Sequence, residues 1–203
     1  GCSGPSGLRF PIKIAAEMDS MNTLDELFEI YQVHGDADYI GEPISQLAHA
    51  QQTAHLAQRA GASESVILGA FFHDIGHLCA DSECPQMDGL GVVNHEGIGA
   101  MKLRAHGLGG IPADLVALHV QAKRYLCWYR PTYRKKLSVA SQGTLEFQGG
   151  PMTELEALTF EGHSLFHDIL RLRAWDEGAK VLGGPGLELN TVRDMAVRYR
   201  EGS

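Results

Sequence analysis

His73 and Asp74 stand side by side at the end of the most apolar stretch of the sequence, VILGAFF. An imidazole and an ionised carboxylate are costly to bury there unless something compensates, and a metal cation would. His49 lies upstream, His95 and His119 lie downstream, and Asp176 follows in an apolar C-terminal segment. Imidazole and carboxylate ligands on facing bundle helices suit Fe, Mn or Zn. A single histidine on an apolar face is more often a satisfied core residue. The argument for metal rests on the six together, each on a predicted helix. His77 follows His73 by four residues, which puts both imidazoles on one helix face. His34, His55, His106, His163 and His167 show no such pattern and read as surface or core.

A second signal is independent of the histidines. From Leu115 to Leu145 there is no Asp or Glu, while Lys123, Arg124, Arg130, Arg134, Lys135 and Lys136 all fall there. Lys123 comes four residues after His119 and Arg173 three before Asp176, so both should point toward the metals. Two cations beside a metal centre suit an anionic substrate, and phosphate or phosphonate fits best. Arg130, Arg134, Lys135 and Lys136 read as a solvated face. The loop DYIGE adds Tyr39 and Glu42 just ahead of the helix that carries His49. A carboxylate there suits a substrate amine, and Gly41 leaves the loop room to move.

These side chains need helices to hold them. Thr23-Leu-Asp-Glu26 is a capping box that opens a helix from Leu24 to about His34, stopped by Gly35. Pro43 suits the first turn of a second helix reaching Ala60. Ser63 caps a third, apolar almost all round and therefore central. Asn94 caps a helix to about His106, and Pro112 starts one to about Trp128. Residues 130–148 fit short helices or loop. After the Gly149-Gly150-Pro151 break, the capping box Thr153-Glu-Leu-Glu156 predicts one long helix to about Ala179. Thr191 caps the last. Alternating strand patterns are almost absent, so the expected fold is all-α, a single helical bundle with a di-metal site in its core.

Composition narrows the function. The chain carries 17 Lys and Arg against 25 Asp and Glu, a net charge of −8. That argues against a nucleic-acid binder, which needs a basic face. No apolar run is long enough to span a membrane. Residues 1–10 read as a tail and 11–203 as the domain. Four cysteines are too few for a disulfide scaffold, so a reducing cytoplasm is the expected location.

The ordered set His49, His73-Asp74, His95, His119, Asp176 resembles the HD-domain superfamily, whose members are mostly phosphohydrolases with a minority of mixed-valent di-iron oxygenases. The segments DYIGEPISQLAHA, LGAFFHDIGH, GVVNHE, HVQAKRYL, SVASQGTLEFQGGPM and RLRAWDE are similar to those of the phosphonate-cleaving HD oxygenases and span Asp38 to Glu177. The resemblance implies a C–P-cleaving reaction, 2-amino-1-hydroxyethylphosphonate and O2 giving glycine and phosphate. It implies one iron held by His49, His73, Asp74 and Asp176, and a second held by His95 and His119 with Asp74 bridging, in an Fe(II)/Fe(III) pair. Tyr39 is implied to ligate iron in the substrate-free state and to swing away when substrate arrives. Glu42 is implied to read the substrate amine, and His77, Lys123, Ser141, Thr144, Gln148 and Arg173 to line the phosphonate side. An upstream hydroxylase would supply the substrate, and the enzyme would be a monomer or homodimer. Rival readings are the trimethylammonium analogue as substrate, an HD phosphohydrolase, a sugar-alcohol oxygenase and a non-enzymatic HD module.

Overall fold

The computed structural model describes residues 24–39, 41–79 and 83–202. Helix α1 covers residues 24–34, and Gly35 ends it as expected. The N-terminal tail and the expected cap Thr23 lie outside the described residues. There follow α2 (Gln46–Arg59), α3 (Glu64–Phe72), α4 (Gly76–Cys79), α5 (His95–Ala105), α6 (Ile111–Tyr129), a 3-10 turn (Arg134–Lys136), α7 (Val139–Phe147), α8 (Glu154–Glu161), α9 (Phe166–Gly178) and α10 (Leu189–Glu201). The described residues form no extended strand and make only two isolated bridges, Asp38 with Ser45 and Gln86 with Val92. The protein is all-α.

Helix α3 is the axis of the bundle, packed against α2, α6, α9 and α10. Its sequence explains that position. Leu68, Ala70, Phe71 and Phe72 are all 0% exposed. Val66 and Ile67 cost a few tenths of a kcal/mol each in helix propensity, against about 2 kcal/mol each from burial, so burial decides. Gly69 lets α6 approach: a Cβ there would lie 2.7 Å from the Leu115 side chain.

Several expected boundaries move. The second helix begins at Gln46, capped by the Ser45 hydroxyl. Pro43 stays in the preceding loop, since an N-cap with its own side-chain acceptor sets the start. Ser63 and Asn94 sit at N-cap positions but make no side-chain cap bond. Asn94 is left-handed (φ 59°), which aims its side chain elsewhere. The long helix expected after Thr153 is two. The capping box forms, but α8 ends at Glu161 and α9 starts at Phe166. Gly162 and the following turn break the run, and Phe160 and Phe166 pack edge to face across it, 5.2 Å apart. The last helix starts at Leu189, and its N-cap Glu188 lies three residues before the expected cap Thr191. Residues 130–148 resolve into the 3-10 turn and α7.

Candidate metal and substrate site

Five elements converge on one point. Helix α2 brings His49, the end of α3 brings His73 and Asp74, α5 brings His95, α6 brings His119 and α9 brings Asp176. His49, His73, His95, His119 and Asp176 are all buried. Asp74, 13% exposed at its side chain, lies between two groups. Its Oδ2 faces His73 Nε2 at 3.2 Å and His49 Nε2 at 3.8 Å. Its Oδ1 faces His95 Nε2 at 3.4 Å and His119 Nε2 at 3.3 Å. Asp176 Oδ1 closes the first group, 3.3 Å from His49 Nε2 and 3.9 Å from His73 Nε2.

The proton inventory shows what this cluster is built for. His49 Nδ1 donates to the Ala179 carbonyl (2.9 Å), His73 Nδ1 to Ala70 (2.8 Å) and His119 Nδ1 to Val116 (2.8 Å). In the neutral tautomer that leaves each Nε2 as a bare lone pair. The lone pairs of His49 and His73 face each other, their Nε2 atoms 3.2 Å apart, and the His119 lone pair faces His95 Nε2 at 3.1 Å. Asp176 Oδ1 is buried with no hydrogen-bond partner among the described residues. Acceptors aimed at acceptors repel unless a cation or a proton sits between them. The donor set, imidazole nitrogens with a shared carboxylate, therefore fits a pair of metal ions. Electrostatics agree. Burial opposes charge on His73, yet Asp74 and Asp176 raise its pKa to about 9. Burial also opposes charge on Asp176, but Arg173, His49 and His73 hold its carboxyl far below the usual range.

His95 differs from the other three imidazoles. Its Nδ1 has no hydrogen-bond partner among the described residues, and Glu96 Oε2 lies 3.4 Å from it.

Beside the cluster lies a cavity of about 70 Å³. By the same measure one water takes roughly 10–15 Å³, so the space suits a small ligand. Tyr39, His77, Lys123, Ser141, Thr144, Gln148 and Arg173 all line it. Lys123 is buried; its Nζ donates to Thr144 Oγ1 (2.7 Å) and to the Ser141 carbonyl (3.2 Å). Burial, with Arg173 nearby, lowers its pKa to about 7. Arg173 donates to Asp176 Oδ2 (2.5 Å) and Glu177 (2.8 Å), while its Nη2 is buried without a partner among the described residues. Gln148 Oε1 is likewise an unpartnered buried acceptor.

His77 reaches the cavity by a different route from the one its spacing suggests. The helix stops at Phe72, so His73 and His77 are not on one continuous helical face. Instead His77 stacks on His95 at 4.0 Å, and the Val92 backbone N–H donates to its Nδ1 at 3.1 Å. Burial, with His95 beside it, lowers its pKa to about 3. His77 is thus neutral near pH 7 and carries its proton on Nε2, as a donor. Gly91 makes the fit possible: its φ is +103°, and a Cβ there would lie 2.5 Å from His77 Cε1.

Tyr39 stacks on His49 with centroids 3.9 Å apart, and its hydroxyl donates to Asp74 Oδ2 at 3.0 Å. Glu42 stands farther out, its Oε1 accepting from Lys180 Nζ at 2.8 Å. Sequence reasoning missed Gln46, Met87, Leu90 and Lys180, which also line the cavity. Lys180 follows Asp176 by four residues, the same spacing that singled out Lys123. The other three carry no chemical signature and enter only through packing.

No family model matches the chain. Over 158 residues it is 44% identical to hydroxymethylphosphonate dioxygenase of Gimesia maris, covering 77% of this chain and 78% of that one. Over 165 residues it is 36% identical to [1-hydroxy-2-(trimethylamino)ethyl]phosphonate dioxygenase (glycine-betaine-forming) of Leisingera caerulea, covering 81% and 84%. An uncharacterized protein of Acanthamoeba polyphaga mimivirus is 36% identical over 180 residues, covering 88% and 82%. Two relatives at this identity and coverage, both phosphonate dioxygenases, agree with a buried two-group acceptor cluster facing a cationic cavity: the chain belongs to the phosphonate dioxygenase family.

Proposed function

We propose that this protein is a mixed-valent di-iron oxygenase that cleaves the C–P bond of a 1-hydroxyalkylphosphonate, with O2 as co-substrate. The reaction balances as substrate plus O2 giving a carboxylic acid and phosphate: 2-amino-1-hydroxyethylphosphonate gives glycine, and hydroxymethylphosphonate gives formic acid. One observation carries the reading. Acceptors grouped about the two oxygens of Asp74 border a cavity that Lys123, Thr144 and Arg173 also line.

His49, His73, Asp74 and Asp176 would hold one iron, and His95 and His119, sharing Asp74, the other. When bound, these ions supply the redox chemistry with O2 that the side chains lack. The chain's own groups do the rest. Lys123 and Arg173, both buried, neutralise the phosphonate with charges already held in place. Ser141 and Thr144 hold Lys123 in place and border the same oxygens. His77 offers its Nε2–H to substrate, because Val92 already occupies Nδ1. Gln148 Oε1 accepts from a substrate hydroxyl. Tyr39, seated on Asp74, shields the cluster until substrate displaces it.

The test is an oxygen-electrode assay of the iron-loaded protein with both hydroxyphosphonates, reading phosphate alongside oxygen. Uptake coupled to phosphate release is the expected result. Phosphate without oxygen uptake would instead establish a hydrolase.

A further inference from the structure

Glu42 and Lys180 form an ion pair that the site described so far does not use. Lys180 Nζ meets Glu42 Oε1 at 2.8 Å, and the two side chains are only 16% and 13% exposed. The ammonium also lies 5.5 Å from the centroid of the Tyr39 ring. Lys180 lines the cavity with Lys123 and Arg173, whereas Glu42 opens onto the adjoining hollow beside Pro43 and Leu182. The pairing is built into the backbone. Helix α9 has ended at Gly178, and both neighbours of Lys180 are tied to α2. The Ala179 carbonyl accepts from His49, and Val181 exchanges two bonds with the Gln52 side chain, at 2.8 Å and 3.1 Å. A lysine held between two anchored residues is a fixed charge rather than a loose surface chain.

We propose that Lys180 is a specificity-determining residue: its ammonium occupies the carboxylate of Glu42, so the cavity selects 1-hydroxyalkylphosphonates that carry no cationic group. The inference rests on the phosphonate reading above. Glu42, in the adjoining hollow, is the carboxylate that meets Lys180, and the chain has already neutralised it. An ammonium-bearing substrate must push Lys180 aside and then share the pocket with it, and like charges at close range oppose that. A substrate ending in hydrogen at C2 or lacking C2 meets no such opposition. It still gains from the cations, because its phosphonate is an anion.

The experiment is titration calorimetry on the iron-loaded protein without oxygen, with hydroxymethylphosphonate and 2-amino-1-hydroxyethylphosphonate as probes. The wild type should bind hydroxymethylphosphonate more tightly. Lys180→Met should shift the ratio of Kd values toward the amino compound by roughly ten-fold. Lys180→Arg, which keeps the charge, should hold the wild-type ratio. Wild-type preference for the amino compound overturns the proposal, and so does a ratio moved by less than about two-fold in Lys180→Met. Because the wild type is itself decisive, the test survives a variant that fails to fold. Oxygen uptake by the wild type separates the two levels. A shifted ratio without uptake overturns the oxygenase and keeps the selectivity, while coupled turnover with an unmoved ratio does the reverse.

Discussion

Lys123→Met should improve stability and damage function, with a stability sign that reverses with pH. Burial, with Arg173 nearby, lowers the Lys123 pKa from 10.5 to about 7. The folded protein therefore binds this proton less tightly than the unfolded chain does. At about 1.4 kcal/mol per pH unit, keeping the charge below pH 7 costs roughly 5 kcal/mol. The cost shrinks as pH rises and is gone above the ordinary pKa. Methionine removes it but also removes the two hydrogen bonds to Thr144 and Ser141, worth about 1 kcal/mol each. Below pH 7 the balance favours the variant by about 3 kcal/mol, and above pH 10.5 it disfavours it by about 2 kcal/mol. The two stability curves should cross near pH ~9. Thermal unfolding from pH 6 to 10 measures this, with a rise of roughly 6–12 °C expected at pH 6. Function moves the other way. Losing a buried charge on a substrate anion costs 2 kcal/mol or more, so kcat/KM should fall at least about 30-fold with iron retained. In the wild type, KM should rise with pH above 7 as Lys123 loses its proton. A variant no more stable at pH 6 than at pH 10 refutes the electrostatic reasoning. A variant that loses iron refutes the placement of Lys123 on the substrate side.

His73→Ala removes one of the converging Nε2 atoms and should lose iron and oxygen uptake together; full iron content by elemental analysis would contradict the metal assignment. Gly91→Ala places a methyl 2.5 Å from His77 Cε1, so kcat should drop about ten-fold or more with iron unchanged, and unaltered turnover would remove His77 from the reaction. Glu96→Gln takes the carboxylate from beside His95 Nδ1, 3.4 Å away. Iron should then be stripped by a competing chelator at about 10–100-fold lower chelator concentration, and equal resistance would assign Glu96 no such role.

The chemistry was more legible than the architecture. Histidine and aspartate are expensive to bury, so their recurrence on apolar segments is itself informative. The six expected metal residues do meet in space, and Lys123 and Arg173 reach the same cavity by the spacing that singled them out. Helix ends were harder because they depend on partners distant in sequence. The break at Gly162 is fixed by Phe160 packing on Phe166, and a local capping signal carries no trace of that. Pro43 shows the same limit: a valid helix start was outranked by Ser45, whose hydroxyl accepts from Ala48 N–H at 3.2 Å. Lys180 was hidden because its importance lies in the backbone ties of its neighbours to Gln52 and His49.

The adjacency of His73 and Asp74 carries a structural demand of its own. On a continuous α-helix, neighbouring side chains point about 100° apart, so an imidazole and the next carboxylate cannot both face one centre. The chain resolves this by ending α3 at Phe72 and turning through residues 73–75 before α4 begins. His73 is held back along α3 by its bond to the Ala70 carbonyl, three residues earlier. His119 makes the matching bond to Val116 on α6. Asp74, released from the helix, swings between the two imidazole pairs and shows one oxygen to each. The turn must also lie against α5, and Gly76 permits it, since a Cβ there would fall 1.9 Å from the His95 carbonyl. A carboxylate shared between two groups therefore requires a helix that stops at a set residue and a glycine two residues after the aspartate. The short motif reads as chemistry, but its spacing is set equally by the geometry of leaving a helix.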